Sequence, residues 1–163
     1  METSLSLKLQ QPTNALDYVS VLHVVSLYCH IVDRAMQAGD TPDVSDLFHP
    51  EAEFTNSFQS ETFKGRDAVT QWYRTYLGKR KGYFRYTRHK IYTPCIEVNG
   101  DTAVSSCHFD ADSLDFGGVV RRMSGRYDDV LQRHNGTWLI RKRHIDIHYI
   151  PNAEQAAPFH GWR

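Results

Sequence analysis

A chain of 163 residues, 40% of them hydrophobic, can bury one sizeable core and is too short for two ordinary domains. Nineteen Lys and Arg balance nineteen Asp and Glu, so no bulk charge draws the chain to nucleic acid or anionic lipid. The nine histidines add charge only under mildly acidic conditions, and a small organic substrate suits this balance better than a polyanion.

Residues 1–13 read as a flexible start. Met1 to Lys8 shows neither a basic opening nor a sustained apolar run, and no later stretch reads as a bilayer span. A soluble, cytoplasmic protein with no membrane partner is therefore expected. Asn14 is placed to cap a helix, with Asp17 at the third position. Val21, Val24, Val25, Tyr28, Ile31, Val32 and Ala35 then recur at helical spacing, and Gly39 ends the run. Thr41-Pro42 predicts a short second helix through Phe48, because proline is favoured in a first turn. A brief strand pair follows, roughly Ala52 to Ser57 and Thr62 to Lys64. A further helix from about Arg66 to Leu77 carries Val69, Trp72, Tyr73 and Tyr76 on one side.

Beyond it the pattern alternates. Strands are predicted over Phe84 to Tyr92, Cys95 to Val98, Thr102 to Asp112, Val119 to Arg133 and Thr137 to Ile150. They are separated by Asn99-Gly100, Phe116-Gly117-Gly118 and Asn135-Gly136. Helices first and antiparallel strands afterwards predict an α+β fold with a curved sheet around the first helix, in one domain over residues 14–150. Residues 151–163 form a tail whose Phe159 and Trp162 are expected to pack on or near that domain. Cys29, Cys95 and Cys107 are odd in number and lack metal-type spacing, which predicts free thiols, and Asn135-Gly136-Thr137 is then simply a turn.

The run Gly125-Arg126-Tyr127-Asp128-Asp129, then Arg133, then Gly136-Thr137-Trp138-Leu139-Ile140-Arg141-Lys142-Arg143 closely resembles the closing hairpin of SnoaL-like proteins. These belong to the nuclear-transport-factor-2-like superfamily, the cystatin-like α+β cone. Tyr28 to Asp33, Leu47 to Phe54, Gly65 to Val69 and Ile96 to Ala103 extend the resemblance over about residues 15 to 150. It implies a cone-shaped α+β barrel with a mostly antiparallel sheet. Function does not follow from that, because the same cone serves enzymes, carriers and assembly subunits.

The candidate chemistry centres on Asp33, which lies on a flank of the first helix shared with Leu22, Ser26 and Cys29. By periodicity alone it reads as a solvated carboxylate. In the SnoaL-like enzymes, scytalone dehydratase and hexachlorocyclohexane dehydrochlorinase, an aspartate at this place works with a histidine, and the resemblance makes His89 that histidine. His89 shares a strand face with Thr87, Ile91 and Thr93, opposite the more charged face of Tyr86, Arg88, Lys90 and Tyr92. A carboxylate beside a neutral imidazole fixes its tautomer and makes it more basic, which suits proton abstraction next to a carbonyl or aromatic ring.

Arg143 matches an arginine that the dehydrochlorinase uses on its leaving anion. By alternation it shares a face with Leu139, Arg141 and Ile145, and a sheet-surface position fits the pattern equally well. Tyr28, Cys29, Trp72 and Tyr127 are the candidate substrate contacts. Scytalone dehydratase carries a second histidine on the following strand; here the corresponding stretch holds only His108, out of register. Lys79-Arg80-Lys81 reads as a solvated loop.

The sets His144-x-Asp146-x-His148 and His108-x-Asp110-x-Asp112 have ligand-type residues, but alternate residues on one strand stand about 7 Å apart, awkward for a single ion. Neither metal nor organic cofactor is expected. The resemblance implies a lyase or isomerase acting on a cyclic polyketide, terpenoid, steroid or aromatic compound, as a homodimer or homotrimer. The alternative is a non-catalytic small subunit of an aromatic-ring dioxygenase or a carrier module.

Overall fold

The structure, a computed structural model, describes residues 14–149. The expected flexible start and the packing of Phe159 and Trp162 lie outside the described residues. Helix α1, Ala15–Gln37, begins where the Asn14 side chain accepts from the amides of Leu16 and Asp17. Asp17 in turn accepts from Asn14 Nδ2 at 3.0 Å, and from Arg133 and the Trp138 indole, which pins the first turn to the far hairpin. Gly39, at φ +67°, ends the helix in a Schellman arrangement: Asp40 N donates to Ala35 O and Gly39 N to Met36 O.

By length and composition α1 could cross a membrane, contrary to the expectation that no stretch would. In this fold it is the core helix. Val21, Val24, Val25, Tyr28, Cys29, Val32 and Met36 are buried, and Ile31 packs partly buried against them.

The second helix predicted over Thr41 to Phe48 shrinks to a 3-10 turn, Ser45–Leu47. Asp43 accepts from the Ser45 amide, a local turn that competes with helix, and the chain is extended from Phe48. Strand β1, Phe48–Asn56, pairs with β2, Gln59–Lys64. Helix α2, Arg66–Gly78, buries Val69, Thr70, Trp72 and Tyr73. Then come β3, Phe84–Asn99; β4, Thr102–Asp115; β5, Val120–His134; and β6, Thr137–Tyr149. The sheet order is β2-β1-β6-β5-β4-β3, antiparallel throughout except for the parallel β1–β6 pair.

Among the irregularities of the sheet, three bear on the site. Where two strands were expected, β3 runs through Thr93-Pro94 with a bulge between Tyr92 and Cys95, and Thr93 takes the left-handed φ of +50°. Pro50, which has no amide to donate, lies inside the break in the β1–β6 register between Phe48 and Glu53. Leu131 pairs with Ile140 but Val130 with Lys142, so Arg141 is the extra residue of a bulge in β6.

The inward face of the sheet carries Ala103, Cys107, Phe109 and Ala111 from β4 and Tyr127, Asp129 and Leu131 from β5, all buried. Gly125 pairs with Phe109 across the ladder. A Cβ at Gly125 would lie 2.2 Å from the Asp146 carbonyl oxygen and 2.8 Å from the Phe109 ring. The neighbour struck hardest is backbone, which cannot swing aside. Gly125→Ala is therefore expected to lower the unfolding free energy by about 1–3 kcal/mol in urea titration, against a few tenths for the exposed turn residue Gly100→Ala corrected for its own φ.

Candidate active site

The end of α1 lies along the free edge of β3. Gln37 Nε2 donates to Thr87 O at 2.6 Å, the Thr87 hydroxyl to Asp33 O at 3.4 Å, and the His89 amide to Asp33 Oδ2 at 2.7 Å. The helix thus uses backbone groups that an edge strand leaves unpaired. The same aspartate holds the His89 ring: Nδ1 is 2.6 Å from Asp33 Oδ1. The two side chains are only 12% and 13% exposed. Burial pushes the Asp33 carboxyl up, but the bonds and charge of His89 more than offset this and hold it below its ordinary value. A carboxylate accepts and does not donate, so Nδ1 carries a proton, and Nε2 is the lone-pair nitrogen whenever the ring is neutral.

The inward strand face expected for His89 is observed: Thr87 is buried and Arg88 exposed. Small Ala111 stands opposite His89 in the ladder, and the imidazole lies 6.3 Å from the Phe109 ring. Phe109 stacks on Tyr127 at 4.2 Å with the planes 9° apart. This stack leads to the second polar feature of the interior.

Arg143 is 1% exposed, which settles the choice left open by its alternation. Its companions are corrected, however. The Arg141 bulge reverses the phase of β6, so Arg143 and Ile145 share the core with Trp138 and Ile140, while Arg141 reaches the Glu51 carbonyl and carboxylate near the surface. The guanidinium is gripped by Asp129, with Nε and Nη2 each donating to a carboxylate oxygen at 2.7 Å. Its Cζ lies 4.2 Å from the Tyr28 ring centre and 4.9 Å from that of Tyr127. Burial opposes the charge, but Asp129 outweighs burial and keeps Arg143 firmly protonated.

The other candidates fall into place around these two features. Tyr28 and Tyr127 flank the arginine. Cys29, one turn before Asp33, is buried, and burial pushes its thiol up to about 12, so it serves as an apolar contact. Trp72 belongs to a separate aromatic group, stacked on Tyr76 at 4.8 Å and tilted against Phe54 at 4.4 Å, with its N–H donated to Gln59. It meets the Arg143 region through Tyr73, whose ring centre is 4.9 Å away.

Asp129, Tyr73 and Phe109 were not among the candidates. Asp129 had a usable signal, since it alternates with Tyr127 and Leu131 and so had to face inward with them.

Most members of the ligand-type sets on the opposite sheet face have other partners, while Asp146 and His148 face each other at 3.5 Å. His144 Nδ1 pairs with the Thr55 hydroxyl at 2.8 Å, Asp110 accepts from Ser124, and Asp112 accepts from Arg88, Lys90 and Arg122. Among the described residues no three His, Cys, Asp or Glu side chains converge on a metal position. His108 is exposed, outside the face that carries Cys107 and Phe109. In the basic loop, Arg80 lies 4.0 Å over Tyr76 and donates to its carbonyl, and Lys81 faces Asp40 at 3.8 Å.

The family profile of the SnoaL-like domain matches residues 13–144. The chain belongs to this family. Solved structures agree on the fold of this SnoaL-like protein. A protein from Novosphingobium aromaticivorans, provisionally assigned as a scytalone dehydratase, is 19% identical with a TM-score of 0.73, over 93% of this chain and 98% of that one. A type 2 hexachlorocyclohexane dehydrochlorinase, LinA, is 16% identical with a TM-score of 0.67, over 88% and 95%. A Nostoc punctiforme protein with a cystatin-like fold is 17% identical with a TM-score of 0.66, over 84% and 95%. At these identities the likeness establishes architecture and leaves the chemistry to the residues. No curated protein matches the sequence significantly.

Proposed function

We propose that this SnoaL-like protein is a cofactor-independent lyase or isomerase that moves a proton on a cyclic polyketide, terpenoid, steroid or aromatic small molecule. The observation that carries this reading is the Asp33–His89 pair, with the imidazole Nδ1 2.6 Å from a carboxylate that also binds the His89 amide. Two bonds to one carboxylate fix both the ring and the strand that bears it, so the base is oriented before substrate arrives.

In the proposed step His89 Nε2 takes a proton from a carbon beside a carbonyl or aromatic ring. The C–H electron pair either expels a leaving group from the neighbouring carbon or shifts a double bond, after which the imidazolium returns its proton to another atom. Asp33 stabilises the imidazolium and does not take the proton itself. A scytalone dehydratase assignment and a dehydrochlorinase among the structural relatives, both names of eliminating enzymes, support the reaction class.

The test is a panel of cyclic ketones and hydroxyketones assayed for water loss and double-bond migration. Once a substrate is found, His89→Ala is expected to lower kcat roughly a hundredfold or more while the protein still folds. A variant as active as the wild type would sink the general-base role and leave a carrier or a non-catalytic subunit.

A further inference from the structure

The dyad stands at an edge of the sheet. β3 is its last strand, and the outer edge of β3 is met by the end of α1. Alternate residues of a strand turn their backbone groups to the same edge, so the Thr87 carbonyl and the His89 amide are successive groups there. Asp33 and Gln37 are four residues apart on one helix face, about 6 Å along the axis, and alternate strand residues are about 7 Å apart. The two spacings match. Asp33 takes the His89 amide at 2.7 Å while Gln37 Nε2 donates to the Thr87 carbonyl at 2.6 Å, so the helix holds β3 much as a further strand would.

Thr87 joins the two pins. It is 6% exposed, on the inward face that also carries His89, and its hydroxyl donates to the Asp33 carbonyl at 3.4 Å. Against burial, which pushes the Asp33 carboxyl up, the same hydroxyl adds to His89 in holding it below its ordinary value. With the His89 amide bond as its one pin, the strand could pivot about Asp33. The imidazole stands off the backbone, so a pivot would open the Nδ1–carboxylate contact first. A second pin two residues away removes that freedom.

We propose that Thr87 is the positioning residue of the dyad: its carbonyl, held by Gln37, and its hydroxyl, turned to Asp33, fix β3 against α1 so that one carboxylate meets both the amide and the ring of His89. The proposal rests on the reading of Asp33 and His89 as the proton-transferring pair. Thr87 itself touches no reacting atom.

Two substitutions separate the hydroxyl from the bulk of the side chain. Thr87→Val keeps the β-branched shape and loses the hydroxyl, whereas Thr87→Ser keeps the hydroxyl and loses the methyl group. In the free full-length protein, the His89 amide is expected to exchange with solvent roughly three- to tenfold faster in Thr87→Val and at the wild-type rate in Thr87→Ser. The proton NMR line of His89 Nδ1, carried downfield by the short bond to a carboxylate, should move upfield in Thr87→Val and stay in place in Thr87→Ser. Gln37→Met, which has no N–H to donate, should move both readouts as Thr87→Val does. Once a substrate is found, kcat of Thr87→Val should fall by a similar factor at unchanged KM.

Wild-type exchange and an unmoved Nδ1 line in Thr87→Val would overturn the proposal. So would a Thr87→Ser variant that loosens as far as Thr87→Val, which assigns the effect to packing, or a silent Gln37→Met, which removes the carbonyl pin. The general-base reading fails by a different result. If Thr87→Val moves both NMR readouts while His89→Ala turns over like the wild type, the clamp stands and the pair it holds is not catalytic.

Discussion

Replacing Asp129 with alanine is expected to lower the unfolding free energy by about 3–5 kcal/mol, the usual cost of stranding one member of a buried ion pair. The Arg143 guanidinium is 1% exposed and takes its charge compensation from the two 2.7 Å bonds to Asp129. The faces of Tyr28 and Tyr127 attract a cation but cannot replace a carboxylate. For a domain whose total stability is about 5–15 kcal/mol, such a loss shows as a large shift of the urea midpoint.

The paired replacement Asp129→Leu with Arg143→Met removes both charges and fills most of the space. It should recover the greater part of the loss, since apolar substitutes for a buried pair are typically neutral or stabilising. If the double variant is no more stable than Asp129→Ala, the cost lies in packing rather than in the unpaired charge.

What was legible in the sequence was whatever depends on local spacing. The Asn14 cap, the apolar stripe of α1, the Gly39 exit and the hairpins at Asn99-Gly100 and Asn135-Gly136 are short-range features, and each is found where the residues put it. The inward face of His89 was legible for the same reason, as the pairing of β3 is regular from Tyr86 to Tyr92.

Alternation failed where an extra residue enters a strand. The bulge at Arg141 reverses every side chain beyond it, and nothing in Leu139-Ile140-Arg141-Lys142-Arg143 marks the insertion, since the break arises from pairing with β5. Thr93-Pro94 misled in the opposite sense. A β-branched residue before proline reads as a strand end, yet the ladder resumes beyond it because β4 offers an unbroken partner from Thr102 to Asp115. The Arg143–Asp129 pair joins side chains of neighbouring strands, and its assignment requires the β5–β6 register in addition to either residue's own strand.

The remaining large effect concerns Asp33→Asn, which alters no volume yet is expected to lower turnover by roughly a hundred- to ten-thousandfold. Asp33 accepts two hydrogen bonds, one from the His89 amide at 2.7 Å and one from Nδ1 at 2.6 Å. An asparagine has one acceptor and one donor end for the same two contacts. The backbone amide cannot give up its proton, so the amide oxygen turns to it and the NH2 group turns to the ring. Facing a donor, Nδ1 must become the lone-pair nitrogen, and the ring proton moves to Nε2. The base is then protonated at the atom that should receive the substrate proton. Two readouts check this: kcat, which should fall far more than affinity for a bound ketone, and the nitrogen NMR shifts of the His89 ring, which should exchange between the two nitrogens. An active Asp33→Asn variant with the wild-type tautomer would show that the carboxylate positions the strand without setting the proton on His89.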